Sequence, residues 1–268
     1  MPAQCLTNFH FMSTSDKTSS RRGVGCKHCR DDKPLDFSFT MAFQPIVDLR
    51  SREVFAYEAL VRGTDGAGAA SVLGQVTDDN RYRFDQDCRA RAVELAARLQ
   101  IPCLLSINFL PNAVYEAATC IRATLAAARR FNFPADRIIF EVTEGEEMSD
   151  KNHLQSIFTE YKRQGFLTAI DDFGAGYSGL NLLAEFQPDI LKLDMALVRN
   201  LHQDPVREAI VKGVLGVCDA LNIKVIAEGV EVPEELRRLR DLGVYLFQGY
   251  LLARPAFEAL PSISWPAD

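Results

Sequence analysis

Two adjacent carboxylates, Asp171 and Asp172, close an apolar, strand-like run from Leu167 to Ile170, and the glycine-punctuated stretch Phe173-Gly-Ala-Gly176 follows at once. Neighbouring side chains on an ideal strand face opposite ways. Where the strand ends and the chain turns, both can converge on one site. Two acidic oxygens at such a mouth suit one or two hard divalent cations, and Gly174 and Gly176 let the backbone approach whatever binds. Taken alone, the pair reads more simply as the cap of a helix in an ordinary strand-to-helix loop.

Its company changes that reading. Glu141 follows Ile138-Ile-Phe140, Lys192 lies between Leu191 and Leu193, and Glu228 follows Val225-Ile-Ala227. Further polar groups fall at or just past the ends of other apolar runs: Glu58 and Arg62, Asn108, Glu144, Asp194, Glu231 and Gln248. A charge placed in an apolar strand needs a counter-charge or a metal. Inward salt bridges would account for one or two acids. The carboxylates, however, far outnumber Lys192 and Arg62, and bound cations would relieve the excess. A thiolate-free oxygen set with one Asn points to Mg²⁺ or Mn²⁺ rather than zinc. Two such ions sharing a carboxylate are a device for hydrolysing phosphodiesters. Lys192 would hold water or neutralise developing charge, and Arg62 would grip a phosphate. The residues alone therefore read as a metal-dependent hydrolase of a phosphate ester.

The elements that must position these groups alternate along the chain. Strands are expected over residues 41–48 and 54–61, joined by the polar turn Leu49-Arg-Ser-Arg52, and then over 103–109, 138–142, 167–171, 190–194, 224–227 and 244–248. Helices are expected over 83–99, 113–130, 149–164, about 178–185, 206–221 and 233–242. About eight strands with helices between most of them imply an α/β fold with a mainly parallel sheet, and the count and length favour a TIM-like (β/α)8 barrel over an open sheet. The short turn between the initial two strands makes them an antiparallel pair. In such a barrel the functional groups come from the C-terminal strand ends, where these residues lie.

The 268 residues, 47% hydrophobic and 25% charged, suit a globular chain of one large or two small domains. A formal charge of -6 argues against a nucleic-acid polymer as partner. No apolar run is long enough to span a bilayer and no signal-peptide core is evident, so the expected location is cytoplasmic, without membrane insertion. Residues 1–37 read as a flexible arm. The arm carries Cys26-x-x-Cys29; seven scattered cysteines are not a secreted disulfide framework, and reduced thiols are favoured over a metal clip.

From Phe39 to Pro255 the chain resembles the EAL-domain cyclic di-GMP phosphodiesterases. The resemblance rests on Phe43-Gln-Pro-Ile46, Tyr57-Glu-Ala-Leu-Val-Arg62, Ile107-Asn108, Glu141-Val-Thr-Glu144, Asp171-Asp-Phe-Gly-Ala-Gly-Tyr-Ser178, Lys192-Leu-Asp194, Ala227-Glu-Gly-Val-Glu231 and Gln248-Gly-Tyr250, in that order. It implies a modified TIM barrel over residues 38–268 and hydrolysis of cyclic di-GMP to linear pGpG with two Mg²⁺ or Mn²⁺ ions. By this resemblance Glu58, Asn108, Glu141 and Asp171 would hold one ion, and Asp171, Asp172 and Glu228 the other. Lys192 would position the attacking water, Glu228 is a candidate general base, and Glu144 would hold the loop from Phe173 to Gly179. Gln44, Leu60, Arg62, Asp194, Glu231 and Gln248 would line the substrate region.

The resemblance also implies a homodimer and roles in motility, biofilm and virulence signalling. No sensory domain is evident, so the arm, a regulatory partner protein or dimerisation would carry any control. Gly63 and Gly179 depart from the family's common Trp and Ser, and glycine at 179 is expected to loosen its loop. Two other readings stand beside the enzyme: a catalytically silent EAL domain acting as a cyclic di-GMP receptor or docking module, and a different metal-dependent phosphatase on the same barrel. Since every mapped position holds the expected residue type, Glu58→Ala and Lys192→Ala are each expected to lose hydrolysis, the second without loss of folding.

Overall fold

The structure is a computed structural model that describes residues 34–143, 151–176 and 179–266. The expected arm, with Cys26 and Cys29, lies almost wholly outside the described residues, as does Glu144. Eight strands close into a barrel: β1 (Phe39–Asp48), β2 (Glu53–Gly63), β3 (Leu104–Asn108), β4 (Ile138–Thr143), β5 (Leu167–Phe173), β6 (Ile190–Leu193), β7 (Lys224–Ala227) and β8 (Leu246–Phe247). Neighbours from β2 to β8 are parallel, while β1 is antiparallel to both β2 and β8 and seals the barrel. The fold is thus a modified (β/α)8 barrel with an antiparallel first strand. The four-residue turn after Asp48 cannot make a parallel crossover, which needs a dozen residues or more.

Outside the strands lie α1 (Ala69–Leu73), α2 (Arg81–Arg98), α3 (Ala117–Arg130), α4 (Lys151–Arg163), α5 (Gly179–Glu185), α6 (Met195–Val198), α7 (Pro205–Ala220) and α8 (Pro233–Asp241). Four short elements depart from the sequence expectation, α6 among them, where no helix is expected between residues 194 and 206. The connection after β2 contains α1, the expected five-residue strand at 244–248 narrows to Leu246–Phe247, and β9 (Ala256–Phe257) adds to β1 at Ala42 and Phe43. Each is too short for hydrophobic periodicity to register.

The strand pleat divides the core in two. Side chains facing outward pack under the helices, where the Phe109 ring meets those of Phe140, Phe158 and Tyr161. Side chains facing inward form a separate apolar plug of Ile46, Ala56, Ile139, Ala169, Ile190, Ile226 and Leu246. One inward step along each strand, two residues on, the plug gives way to polar groups. Ala56 leads to Glu58, Ile139 to Glu141, Ala169 to Asp171, Ile190 to Lys192, Ile226 to Glu228 and Leu246 to Gln248; antiparallel β1 runs from Ile46 back to Gln44. The two-residue period of β structure therefore sets a polar layer directly on a dry floor.

Backbone approaches brace the rim above that layer. A Cβ at Gly249 would lie 2.1 Å from the Val230 carbonyl oxygen and 2.4 Å from its nitrogen. Gly249→Ala is therefore expected to cost about 1–3 kcal/mol through a forced backbone shift. Thermal unfolding should show it as a midpoint lowered by about 2–4 °C per kcal/mol; an unchanged midpoint would contradict the close approach. Among the described residues no helix is long and apolar enough to cross a membrane. Among the described residues Cys88, Cys103, Cys120 and Cys218 form no disulfide.

Candidate active site

The polar layer opens into a cleft of about 280 Å³ at the C-terminal ends of the parallel strands. Lys192 Nζ is its centre. It lies 2.7 Å from Glu228 Oε1, 3.0 Å from Asp171 Oδ1, 3.0 Å from Glu141 Oε2 and 3.4 Å from Glu58 Oε2. Four carboxylates, three from β2, β4 and β5 and one just past β7, thus surround one fully buried ammonium.

The Asp171–Asp172 pair reaches this centre by a specific distortion. Ile170 pairs with Leu191 and Phe173 with Leu193, so two residues of β5 oppose Lys192 alone. Asp172 takes φ +55°, in the left-handed region that Asp tolerates better than most residues. The bulge cancels the alternation of facing and brings both carboxylates to the cleft. It also lets Asp172 N donate to Asp171 Oδ1 at 2.9 Å. Gly174 follows at φ +99°, where a Cβ would fall 2.3 Å from Leu197.

Glu58 is held from both sides: Asn108 Nδ2 donates to Oε1 at 2.9 Å and Gln248 Nε2 to Oε2 at 2.7 Å. Gln248 also donates to Gln44 Oε1 at 3.2 Å, and Gln44 in turn to the Ala253 carbonyl at 3.1 Å. The Ser106 hydroxyl donates to Glu141 Oε1. Ser106 is not among the expected site residues, although the period-2 path Leu104, Ser106, Asn108 puts it on the same inward face. Met195, Gly229, Gly249 and Tyr250 also line the cleft without having been singled out for chemistry.

Of the expected site residues, Gln44, Glu58, Asp171, Asp172, Lys192, Asp194, Glu228, Glu231 and Gln248 line the cleft. Asn108 and Glu141 adjoin it through Glu58 and Lys192. Leu60 and Arg62 lie further along β2 and are not among the lining residues; Arg62 Nη1 donates to the Val61 carbonyl at 2.7 Å. Gly179 opens α5 where a Cβ would stand 2.6 Å from the Phe173 ring, so close packing gives glycine a reason at this position.

Electrostatics follow from crowding. Burial, with the charges of Glu58 and Asp171 added, pushes Glu141 up to about 8 against the pull of Lys192. Burial likewise drives Glu228 well above the usual carboxylate range despite Lys192 beside it. Asp172 rises to about 6 through burial and then through Asp171 and Asp194. Burial works against charge on Lys192, but Asp171, Glu141, Glu228 and Glu58 together raise it. One ammonium does not neutralise the cluster.

The excess charge has a geometric complement. Oxygens of Glu58, Glu141 and Asp171 lie within 4.8 Å of one another, as do oxygens of Asp171, Asp172 and Glu228. The two triads share Asp171. An all-carboxylate donor set with no sulfur fits hard divalent cations.

A family model described as the EAL domain matches residues 35–255. The chain belongs to the EAL domain family. Its EAL segment is 36% identical over 226 residues to the blue light- and temperature-regulated antirepressor BluF of Escherichia coli K12, covering 84% of this chain and 56% of that protein. It is 35% identical over 162 residues to the cyclic di-GMP phosphodiesterase RocR of Pseudomonas aeruginosa PAO1, covering 60% and 41%. The chain thus spans about half the length of these curated relatives. Among solved structures, a standalone versatile EAL protein from Vibrio cholerae O395 in its c-di-GMP bound form superposes with a TM-score of 0.84 at 56% identity. That match covers 86% of this chain and 98% of the other.

Proposed function

We propose that this EAL domain hydrolyses one phosphodiester of cyclic di-GMP to give linear pGpG, in a reaction that depends on two divalent ions, Mg²⁺ or Mn²⁺. The observation that carries the reading is the pair of carboxylate triads sharing Asp171 beside a buried lysine. Membership of a family with cyclic di-GMP phosphodiesterases among its relatives supports the substrate class. Glu58, Asn108, Glu141 and Asp171 would hold one ion, and Asp171, Asp172 and Glu228 the other. When bound, such ions lower the pKa of water and stabilise charge on the attacking and leaving oxygens.

The chain's own groups do the rest. Lys192 Nζ orients the attacking water and offsets the charge that develops on it. Glu228, 2.7 Å from that ammonium, accepts the water's proton. Gln248 and Asn108 fix the Glu58 carboxylate by donating to its two oxygens. Gln44, Leu60, Asp194, Glu231 and Gln248 line the nucleotide's path, Arg62 grips a phosphate at the rim, and Glu144 holds the segment from 173 to 179. The proposal also takes residues 1–37 as an arm on the domain at 38–268 and the working species as a homodimer. Leu180 on α5, 62% exposed, is an apolar group such an interface would cover.

One relative is an antirepressor by name, which favours a second reading: a silent EAL domain that binds the nucleotide or docks on a partner without cleaving it. The complete set of carboxylates and Lys192 weighs against it. Product analysis after incubation with cyclic di-GMP separates the two. Linear pGpG should appear with Mg²⁺ or Mn²⁺ and disappear with chelator. Tight binding without product in either metal would select the receptor.

A further inference from the structure

The wall of the cleft formed by the chain after β6 and the chain after β7 is tied by a carboxylate outside the site described above. Glu235, on the first turn of α8, is 2% exposed. Its Oε1 accepts from Asn200 N at 2.8 Å, beyond α6. Its Oε2 accepts from Glu231 N at 3.2 Å and Val232 N at 3.3 Å, ahead of α8. Among the described residues no cation pairs with it; three backbone N–H groups and the helix N-terminus are what stabilise this buried charge.

The two segments it joins carry Asp194 and Met195 on one side, and Glu228, Gly229 and Glu231 on the other. They meet closely: Gly229, at φ +62°, leaves room for Met195, whose Cβ would lie 2.5 Å from an added Cβ. A second strap on the surface, Arg199 to Glu231 at 2.6 Å, crosses the same gap. Residue 235 is also the third helical position of α8, where either Glu or Gln can cap a helix. Capping its own helix needs one acceptor oxygen. Holding Asn200 as well needs two.

We propose that Glu235 is a positioning residue: both carboxylate oxygens are required to lock the β6 and β7 exit loops together, and thereby to hold Glu228 and Glu231 in register with Lys192 and Asp194. The proposal rests on the hydrolase reading for its effect on turnover, and on geometry alone for its effect on the loops.

The test is Glu235→Gln. The amide keeps one acceptor and presents a donor where the other oxygen was, so it can satisfy Asn200 N or the Glu231 and Val232 N–H groups but not both. Amide hydrogen exchange at Asn200 or at Val232 should accelerate at least tenfold while the other stays protected. Turnover of cyclic di-GMP should fall about tenfold or more, since a misplacement of about 1 Å can cost a hundredfold, and the midpoint of Mn²⁺ binding measured without substrate should rise. Wild-type-like exchange at both Asn200 and Val232, or wild-type Mn²⁺ binding with one of the two ties already released, would overturn the proposal. If the wild-type protein does not hydrolyse the nucleotide, the functional reading fails, while exchange and Mn²⁺ titration still decide the role of Glu235. If the variant does not fold, the wild type decides. Asn200 and Val232 amides should then exchange with the same opening free energy, and unequal values would refute a shared lock.

Discussion

Asp171→Asn is expected to lower turnover by more than about a hundredfold while leaving the fold intact. The asparagine is isosteric and can still accept the hydrogen bond from Asp172 N, so the bulge of β5 has no reason to relax. Lys192 would retain Glu228, Glu141 and Glu58 as partners. What disappears is the one carboxylate common to both triads. Replacing a group that merely supports a metal ligand typically costs 10–100-fold, roughly the lower bound for losing a shared ligand. Steady-state hydrolysis and Mn²⁺ stoichiometry by calorimetry check this together. Full turnover with two ions still bound would show that the shared carboxylate is not a metal bridge.

Lys192→Ala should lower hydrolysis by about 10²–10³-fold if Lys192 stabilises the developing charge as proposed. The surroundings change the expectation that this variant spares the fold. Lys192 is fully buried among four carboxyl groups, and removing it leaves them with no cation, to repel one another or take up protons. Breaking a buried ion pair costs about 3–5 kcal/mol. The variant should therefore unfold at a lower temperature than the parent without metal and recover most of the difference with Mn²⁺, which supplies the missing positive charge. Thermal unfolding with and without Mn²⁺, paired with turnover, tests both halves. Unchanged turnover would remove the catalytic role, and equal metal-free stability would mean the carboxylates are neutralised by other groups.

Much of this site could be found in the sequence because β structure has a short period. Glu141, Lys192 and Glu228 stand out against apolar neighbours, and each lies two residues beyond an inward apolar residue that plugs the barrel. Ser106 obeys the same spacing but is small and uncharged, so nothing marked it as a partner for Glu141. Short elements escaped for a different reason: β9 has two residues and α1 five, and periodicity needs a longer window.

The parallel α/β order, the antiparallel entry through a four-residue turn, and the polar residues at the strand ends are all legible along the chain. All are local consequences of side-chain period and chain reach. Tertiary structure alone decided how those groups meet. The bulge that opposes Asp171 and Asp172 to a single lysine depends on pairing with β6. The approach of Gly249 to Val230 and the reach of Glu235 to Asn200 join segments whose contact no local pattern encodes. A residue's type can be read one position at a time, but convergence of charges requires the barrel to close.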